Sequence, residues 1–211
     1  MSAPLIIAVD GPAASGKGTV ASALARHYGL RYLDTGLLYR AVGYWTLQES
    51  NPFDEERAAL FAERSIPETL DNPGYRTREV GEAASRVAAM PKVRAGLLKF
   101  QKEFISREPG AVLDGRDIGT VIAPSAPAKL FVTASPQVRA MRRWKQLAAQ
   151  GEAASLEEVL ADIARRDARD SGRADAPLVQ AADAALLDTS EMTIEQAFAE
   201  ARRLVERALG R

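Results

Sequence analysis

The stretch Leu5-Ile6-Ile7-Ala8-Val9-Asp10-Gly11-Pro12-Ala13-Ala14-Ser15-Gly16-Lys17-Gly18-Thr19 constrains the fold more than any other, because it drives an apolar strand through a glycine-rich turn into a helix. Gly11 and Gly16 bracket four residues, and Lys17 follows. With that spacing, backbone N–H groups can wrap an anion while the lysine ammonium reaches its outer oxygens. A helix beginning near Lys17 aims its N-terminal dipole and free amides at the same point. Residues 11–19 are the expected phosphate cradle.

Strand and helix patterns alternate from there on. Val20, Leu24 and Tyr28 recur every four residues and Gly29 stops that helix. Its last turn carries His27, which suits a structural role near the negative end of the dipole. Leu30 to Asp34 reads as a second strand, and Thr35-Gly36 opens another helix. Asn51-Pro52, Pro67 and Asn72-Pro73-Gly74 then punctuate a polar stretch with one short helical piece over residues 55–64, which reads as an insertion. Val80, Ala84 and Val87 mark a further helix. Pro91 suits the first turn of the next, whose stripe is Val93, Leu97, Phe100 and Phe104. Residues 111–113 and 129–132 are the third and fourth strands. Ser135-Pro136 starts a helix running to about Gln150, and Ser155 with Glu158 forms a capping box for another. The stripe Leu156, Val159 and Ile163 continues onto Arg166, Asp170 and Arg173, with Gly172 placed to end the helix. Residues 185–187 are a fifth strand, and Thr193 with Gln196 caps the last helix. This alternation predicts an α/β fold with a parallel sheet between helices, which binds ligands at the carboxyl ends of its strands. The phosphate loop and Asp34-Thr35-Gly36 both fall there.

Composition narrows the partners. With 28 basic and 28 acidic residues the chain is formally neutral, which argues against nucleic acid as the main partner. It has no cysteine, so disulfides and thiolate chemistry are excluded. Met1 leads into the first strand without a basic leader, and no segment has the length of a membrane span, so a cytoplasmic protein without membrane contact is expected.

Arg40, Arg94, Arg116, Arg142, Arg143, Arg166, Arg169 and Arg173 exceed what one triphosphate needs. Transfer between two phosphate compounds crowds negative oxygens together, and catalysis there is mainly positioning and charge neutralisation, a task for guanidinium groups. A phosphate acceptor has its second pKa at about 6, so it needs no general base at neutral pH. An alcohol acceptor would want a carboxylate, and Asp34 or Asp117 could serve.

Several segments in order carry a family resemblance. They are Gly11 to Thr19 with its Gly-Lys-Gly-Thr ending, Leu33-Asp34-Thr35-Gly36 with Tyr39-Arg40, Ala83-Ala84-Ser85-Arg86-Val87-Ala88 and Val93-Arg94. Asp114-Gly115-Arg116-Asp117-Ile118-Gly119-Thr120 and Arg166 to Arg173 complete the set. Together they resemble bacterial cytidylate kinases, among the nucleoside monophosphate kinases of the P-loop class. The resemblance implies a three-layer fold with a five-stranded parallel sheet of order 2-3-1-4-5. It implies a single kinase domain over 1–211, with a monophosphate-binding insert over about 41–90 and a lid over about 142–176. The implied reaction is ATP with CMP or dCMP, with Mg2+, giving ADP with CDP or dCDP, in a monomer. On that carry-over Gly11, Pro12, Ala13, Ala14, Ser15, Gly16, Lys17, Gly18 and Thr19 hold ATP. Arg40, Arg116 and Arg173 hold the monophosphate, with Lys17, Arg116 and Arg173 catalytic. Ser85, Arg94 and Asp117 read cytosine with Thr35 nearby, and Arg166 and Asp170 contact ribose or phosphate. No metal ligand is assigned.

Those residue types suit the base. Cytosine offers an amino donor and two acceptors, matching a carboxylate and an arginine, whereas uracil mispairs them at a cost of about 1–3 kcal/mol. One departure is visible: the family's insert before Ala-Ala-Ser is larger and carries its own small sheet, while here it looks truncated. Two other readings stand beside this one. One is a kinase of the same fold acting on UMP, AMP or a metabolite hydroxyl. The other is a nucleotide-gated binding module, although the Asn-Lys-x-Asp guanine reader is missing and Asn51 and Asn72 each precede proline.

Overall fold

A computed structural model describes residues 4–64 and 70–211; Met1 and the proline break at Pro67 lie outside the described residues. Five strands form one sheet of order β2-β3-β1-β4-β5, in which every neighbouring pair is parallel. The strands are β1 (Leu5–Asp10), β2 (Arg31–Asp34), β3 (Gly110–Gly115), β4 (Ala128–Thr133) and β5 (Ala185–Asp188). The pleat sends Ala8, Ala111 and Leu113 to one face and Ile7, Val9 and Val112 to the other, all with no exposed surface. Both faces are covered, so the central strands are continuous apolar runs.

The first face is covered by α2 (Thr35–Thr46), α4 (Arg78–Val87) and α5 (Pro91–Ile105), with α3 (Glu55–Arg64) packed outside α5. The second is covered by α1 (Lys17–Tyr28) and α8 (Ile194–Ala208). A separate small core, Ala140, Leu147, Val159 and Ile163, joins α6 (Pro136–Ala149) to α7 (Leu156–Ser171). His27 packs edge-on against Tyr28 and Phe198, at 4.8 and 5.7 Å between ring centres, which is the structural role read from its position.

The caps match their sequence signals: Ser155/Glu158 and Thr193/Gln196 are complete capping boxes, Ser135 caps α6, and Pro91 and Pro136 sit in first turns. The 41–90 segment contains the end of α2, α3, a 3-10 turn at Pro73–Arg76 and α4, with no strand among its described residues. Gly43 lets α2 and α4 approach, since a Cβ there would lie 2.8 Å from the Ala84 nitrogen.

Candidate active site

The parallel register brings Asp10, Asp34 and Asp114 to the carboxyl edge of three adjacent strands: Asp10 pairs with Gly115 and Asp34 with Asp114. The phosphate loop leaves β1 at the same edge. Gly11, with φ at +152°, lies so close to β4 that a Cβ would stand 2.0 Å from the Val132 carbonyl oxygen. Gly16 is left-handed at the N-cap of α1 and no side chain caps that helix, so its first amides stay available to an anion. Arg139 donates to the Ala13 carbonyl at 3.2 Å, while Arg142 and Thr189 donate to the Ser15 carbonyl at 3.3 and 2.8 Å. With its carbonyls held from behind, the loop can turn its N–H groups inward.

A cavity of about 1080 Å³ opens in front of the loop. Ala13, Ala14, Gly16, Lys17, Gly18, Thr19, Arg40, Arg116 and Arg166 line it, as do Asp34, Asp114 and Arg143. Three of its cations are short of counter-charge. Burial, then the Arg116 charge, pushes Lys17 down to about 8 and Arg166 down to about 9; burial, then Arg143, pushes Arg40 down to about 10. Among the described residues Lys17 reaches only Asp114, at 3.9 Å. Asp114 is raised to about 7 by burial and then by the Asp34 charge. Its Oδ1 accepts from the Tyr32 hydroxyl at 2.8 Å. Gly18 lies beside that pair: a Cβ there would make ordinary contact, 3.5 Å from the Tyr32 hydroxyl and 3.6 Å from Asp114 Oδ2. Glycine after the lysine, unlike the Ser or Thr of the strict pattern, thus sits against a tyrosine and an aspartate.

Ser85, Arg94, Asp117, Asp170 and Arg173 lie outside that cavity's lining, and Arg94 lines a second, smaller one with Tyr39. Asp170 is 1 % exposed and bound by Arg116 Nε at 2.8 Å and by Arg173, with Arg166 at 3.9 Å. Burial alone would raise Asp170, but these three guanidinium groups hold it below the ordinary carboxylate range. Asp117 is ion-paired to Arg94, whose other nitrogen donates to the Tyr39 hydroxyl at 3.2 Å. Ser85 is buried with its hydroxyl unpartnered among the described residues, as are the Nε atoms of Arg166 and Arg173. Thr35 is committed to the fold, donating to the Asp114 carbonyl at 2.7 Å.

The arrangement therefore offers a preorganised anion site with surplus positive charge and, beside it, a carboxylate and guanidinium pair. Two arginines counted above for phosphate turn away from it. Arg142 faces Ser15 and Thr189, and Arg169 pairs with Glu82 at 2.6 Å. Sequence reasoning did not single out Arg139, Thr189, Tyr32 or Asp10. Only Asp10 carried a signal: a charged residue ending a buried strand.

Comparison with known proteins bears on what this site is. A family model described as cytidylate kinase matches residues 7–207. The chain belongs to the cytidylate kinase family. A cytidylate kinase from Caulobacter sp. (strain K31) is 64 % identical over 207 residues, covering 98 % of this chain and 96 % of that relative. One from Azorhizobium caulinodans is 59 % identical over 207 residues, covering 98 % and 100 %. Among solved structures, a gluconokinase from Sinorhizobium meliloti shares the fold, with a TM-score of 0.52 at 16 % identity over 100 % of this chain and 98 % of that one. Membership makes the chain an ATP-dependent nucleoside monophosphate kinase. Among the described residues no helix is long and apolar enough to cross a membrane.

Proposed function

We propose that this kinase transfers the γ-phosphoryl group of ATP to CMP or dCMP. The observation that carries the reading is the cluster of buried cations, Lys17, Arg40 and Arg166, pushed down in pKa around one cavity, with Asp117, paired to Arg94, next in the chain to Arg116 of its wall. Such a cluster is electrostatically incomplete until anions enter. ATP phosphates lie on residues 11–19. The CMP phosphate is held by Arg40, Arg116 and Arg173, with Arg166 and Asp170 toward the ribose. Ser85, whose hydroxyl has no other partner, and Asp117 accept from the cytosine amino group, and Arg94 donates to its ring acceptors.

In the reaction an oxygen of the CMP phosphate forms a bond to the γ-phosphorus as the bond to the β-bridging oxygen breaks. The acceptor is dianionic at neutral pH and no side chain need take a proton. Lys17, Arg116 and Arg173 keep the crowded oxygens in line and neutralise them. Mg2+ suits the donor set. Asp34 and Asp114 at the cavity wall, with Thr19 at the helix start, supply the one or two carboxylates that such an ion takes alongside substrate phosphates and water, and bound there it would screen the β and γ oxygens. Among the described residues no cluster of three or more acids or histidines forms a full protein cage. Residues 41–90 act as the monophosphate-binding insert and 142–176 as the lid, in a cytoplasmic monomer.

The test is ADP release with ATP and Mg2+, offering CMP, dCMP, UMP, AMP and shikimate in turn with a no-acceptor control. Turnover confined to the cytidine nucleotides, and lost preferentially in Asp117→Ala, supports the assignment. Equal turnover with another acceptor or with none would leave only the donor loop standing.

A further inference from the structure

Asp10 closes β1 directly ahead of the phosphate loop and is 5 % exposed, with its carboxylate turned to backbone amides. Its Oδ1 accepts from the Ile118 amide at 2.8 Å and its Oδ2 from the Gly119 amide at 2.7 Å. These are the first amides of the π-helical turn Ile118–Ile122, whose N-cap residue is Asp117. An aspartate at an N-cap ordinarily turns its carboxylate to the second or third amide of the turn, here Gly119 or Thr120. Asp117 makes no such bond; its carboxylate is turned to Arg94.

The register sharpens the point. Asp10 is paired with Gly115 across the sheet, so the chain leaving β3 is fixed to β1 at Gly115 and again at Ile118 and Gly119. Arg116 and Asp117 are the two residues strung between those anchors. Burial pushes the Asp10 carboxyl up to about 6 against the lowering effect of the two amides, so the fold keeps this buried acid at a cost in stability. Gly119 is matched to it, since a Cβ there would lie 3.4 Å from Asp10 Oδ2 and 3.1 Å from Lys129 Cδ.

We propose that Asp10 is a positioning residue that caps the 118–122 turn in place of Asp117, freeing the Asp117 carboxylate to select the base and tying that selection to the strand that carries the donor loop. The inference rests on the reading of Asp117 as a base-selecting group. In Asp10→Asn one of the two acceptors becomes an N–H donor facing an N–H, and the Asp117 carboxylate is drawn back to the orphaned amide.

The experiment measures kcat and KM for CMP and for UMP, and KM for ATP, in the wild type, Asp10→Asn and Gly119→Ala, with circular dichroism to establish folding. In Asp10→Asn the preference for CMP over UMP falls by about tenfold or more through KM for CMP, while KM for ATP stays within roughly threefold. Gly119→Ala, whose added methyl meets the Lys129 side chain at 3.1 Å and Asp10 Oδ2 at 3.4 Å, moves the preference the same way by a smaller factor. If the wild type itself shows no preference for CMP, the base reading fails. If the wild type prefers CMP and folded Asp10→Asn keeps that preference while losing only thermal stability, Asp10 is purely structural and the proposal is overturned. Should Asp10→Asn not fold, an unchanged preference in Gly119→Ala overturns it.

Discussion

The Arg139 guanidinium forks onto the Asp167 carboxylate, Nη1 to Oδ1 at 3.0 Å and Nη2 to Oδ2 at 2.5 Å, and the same Nη1 also donates to the Ala13 carbonyl of the donor loop. One side chain, 4 % exposed, thereby joins α6, the helix carrying Arg166 and the phosphate cradle. Lysine has a single nitrogen and cannot reproduce a planar fork with a further bond. Arg139→Lys is expected to raise KM for ATP about tenfold and to lower stability by about 1–3 kcal/mol, since Asp167 retains some access to water. ATP titration and thermal melting check this, and an unchanged KM would show that the loop keeps its shape without the brace.

A second prediction concerns Gly11. Its φ of +152° and the 2.0 Å separation between an added Cβ and the Val132 carbonyl both count against any side chain. The clashing atom is backbone in a strand held by its pairing with β5, where Val132 faces Leu187, so it cannot swing aside. Gly11→Ala should cost about 3 kcal/mol or more, with loss of nucleotide binding in whatever folds. Denaturant midpoints give the first number, and a shift equivalent to less than about 1 kcal/mol would mean that β1 and β4 part readily.

Asp114 gives the structure a pH signature. Its carboxyl is raised from 3.8 to about 7, so the folded state prefers the protonated form. The sign follows: the unfolded chain has released this proton above pH 4, the folded one holds it until about pH 7, and the stability it contributes is present in acid and lost as pH rises through that window. In Asp114→Asn that loss is absent. The ligand-free variant should therefore gain on the wild type by on the order of 2 kcal/mol between pH 5 and pH 8, while its kinase activity collapses. Parallel stability curves for the two proteins would contradict the buried-charge argument.

The elements and the glycine turn after β1 were legible because their signals are local. Each capping box, each Pro at a first turn and the two loop glycines act within a few residues, and the structure places them where those signals point. The rest depended on distance in the chain. Arg139 and Arg142 look like their phosphate-facing neighbours in sequence; only the fold, bringing α6 behind the loop across more than a hundred residues, sends them to carbonyl oxygens instead. Asp10 and the 118–122 turn were hidden for the same reason, since the bonds that explain that turn reach back to β1.

The last prediction concerns how the cavity shuts. Arg78 at the start of α4 binds Asp162 of α7 through Nε at 2.5 Å, and its backbone amide donates to Glu152 at 3.1 Å; one turn on, Glu82 pairs with Arg169. These bonds span the cavity mouth between the proposed insert and lid. Arg78 is over a third exposed, so the pair adds only about 0–1 kcal/mol to global stability and Arg78→Ala should leave the melting temperature nearly unchanged. Its effect falls on the opening equilibrium, where about 1 kcal/mol is a factor of roughly five. A cavity open more often admits water to ATP, so ADP release without acceptor should rise about two- to fivefold while KM for CMP increases. Charge reversal separates a latch from simple loss of bulk: Arg78→Glu should leak more than Arg78→Ala, and Arg78→Glu combined with Asp162→Arg should recover part of the loss. Equal leakage in all three would mean that closure does not run through this pair.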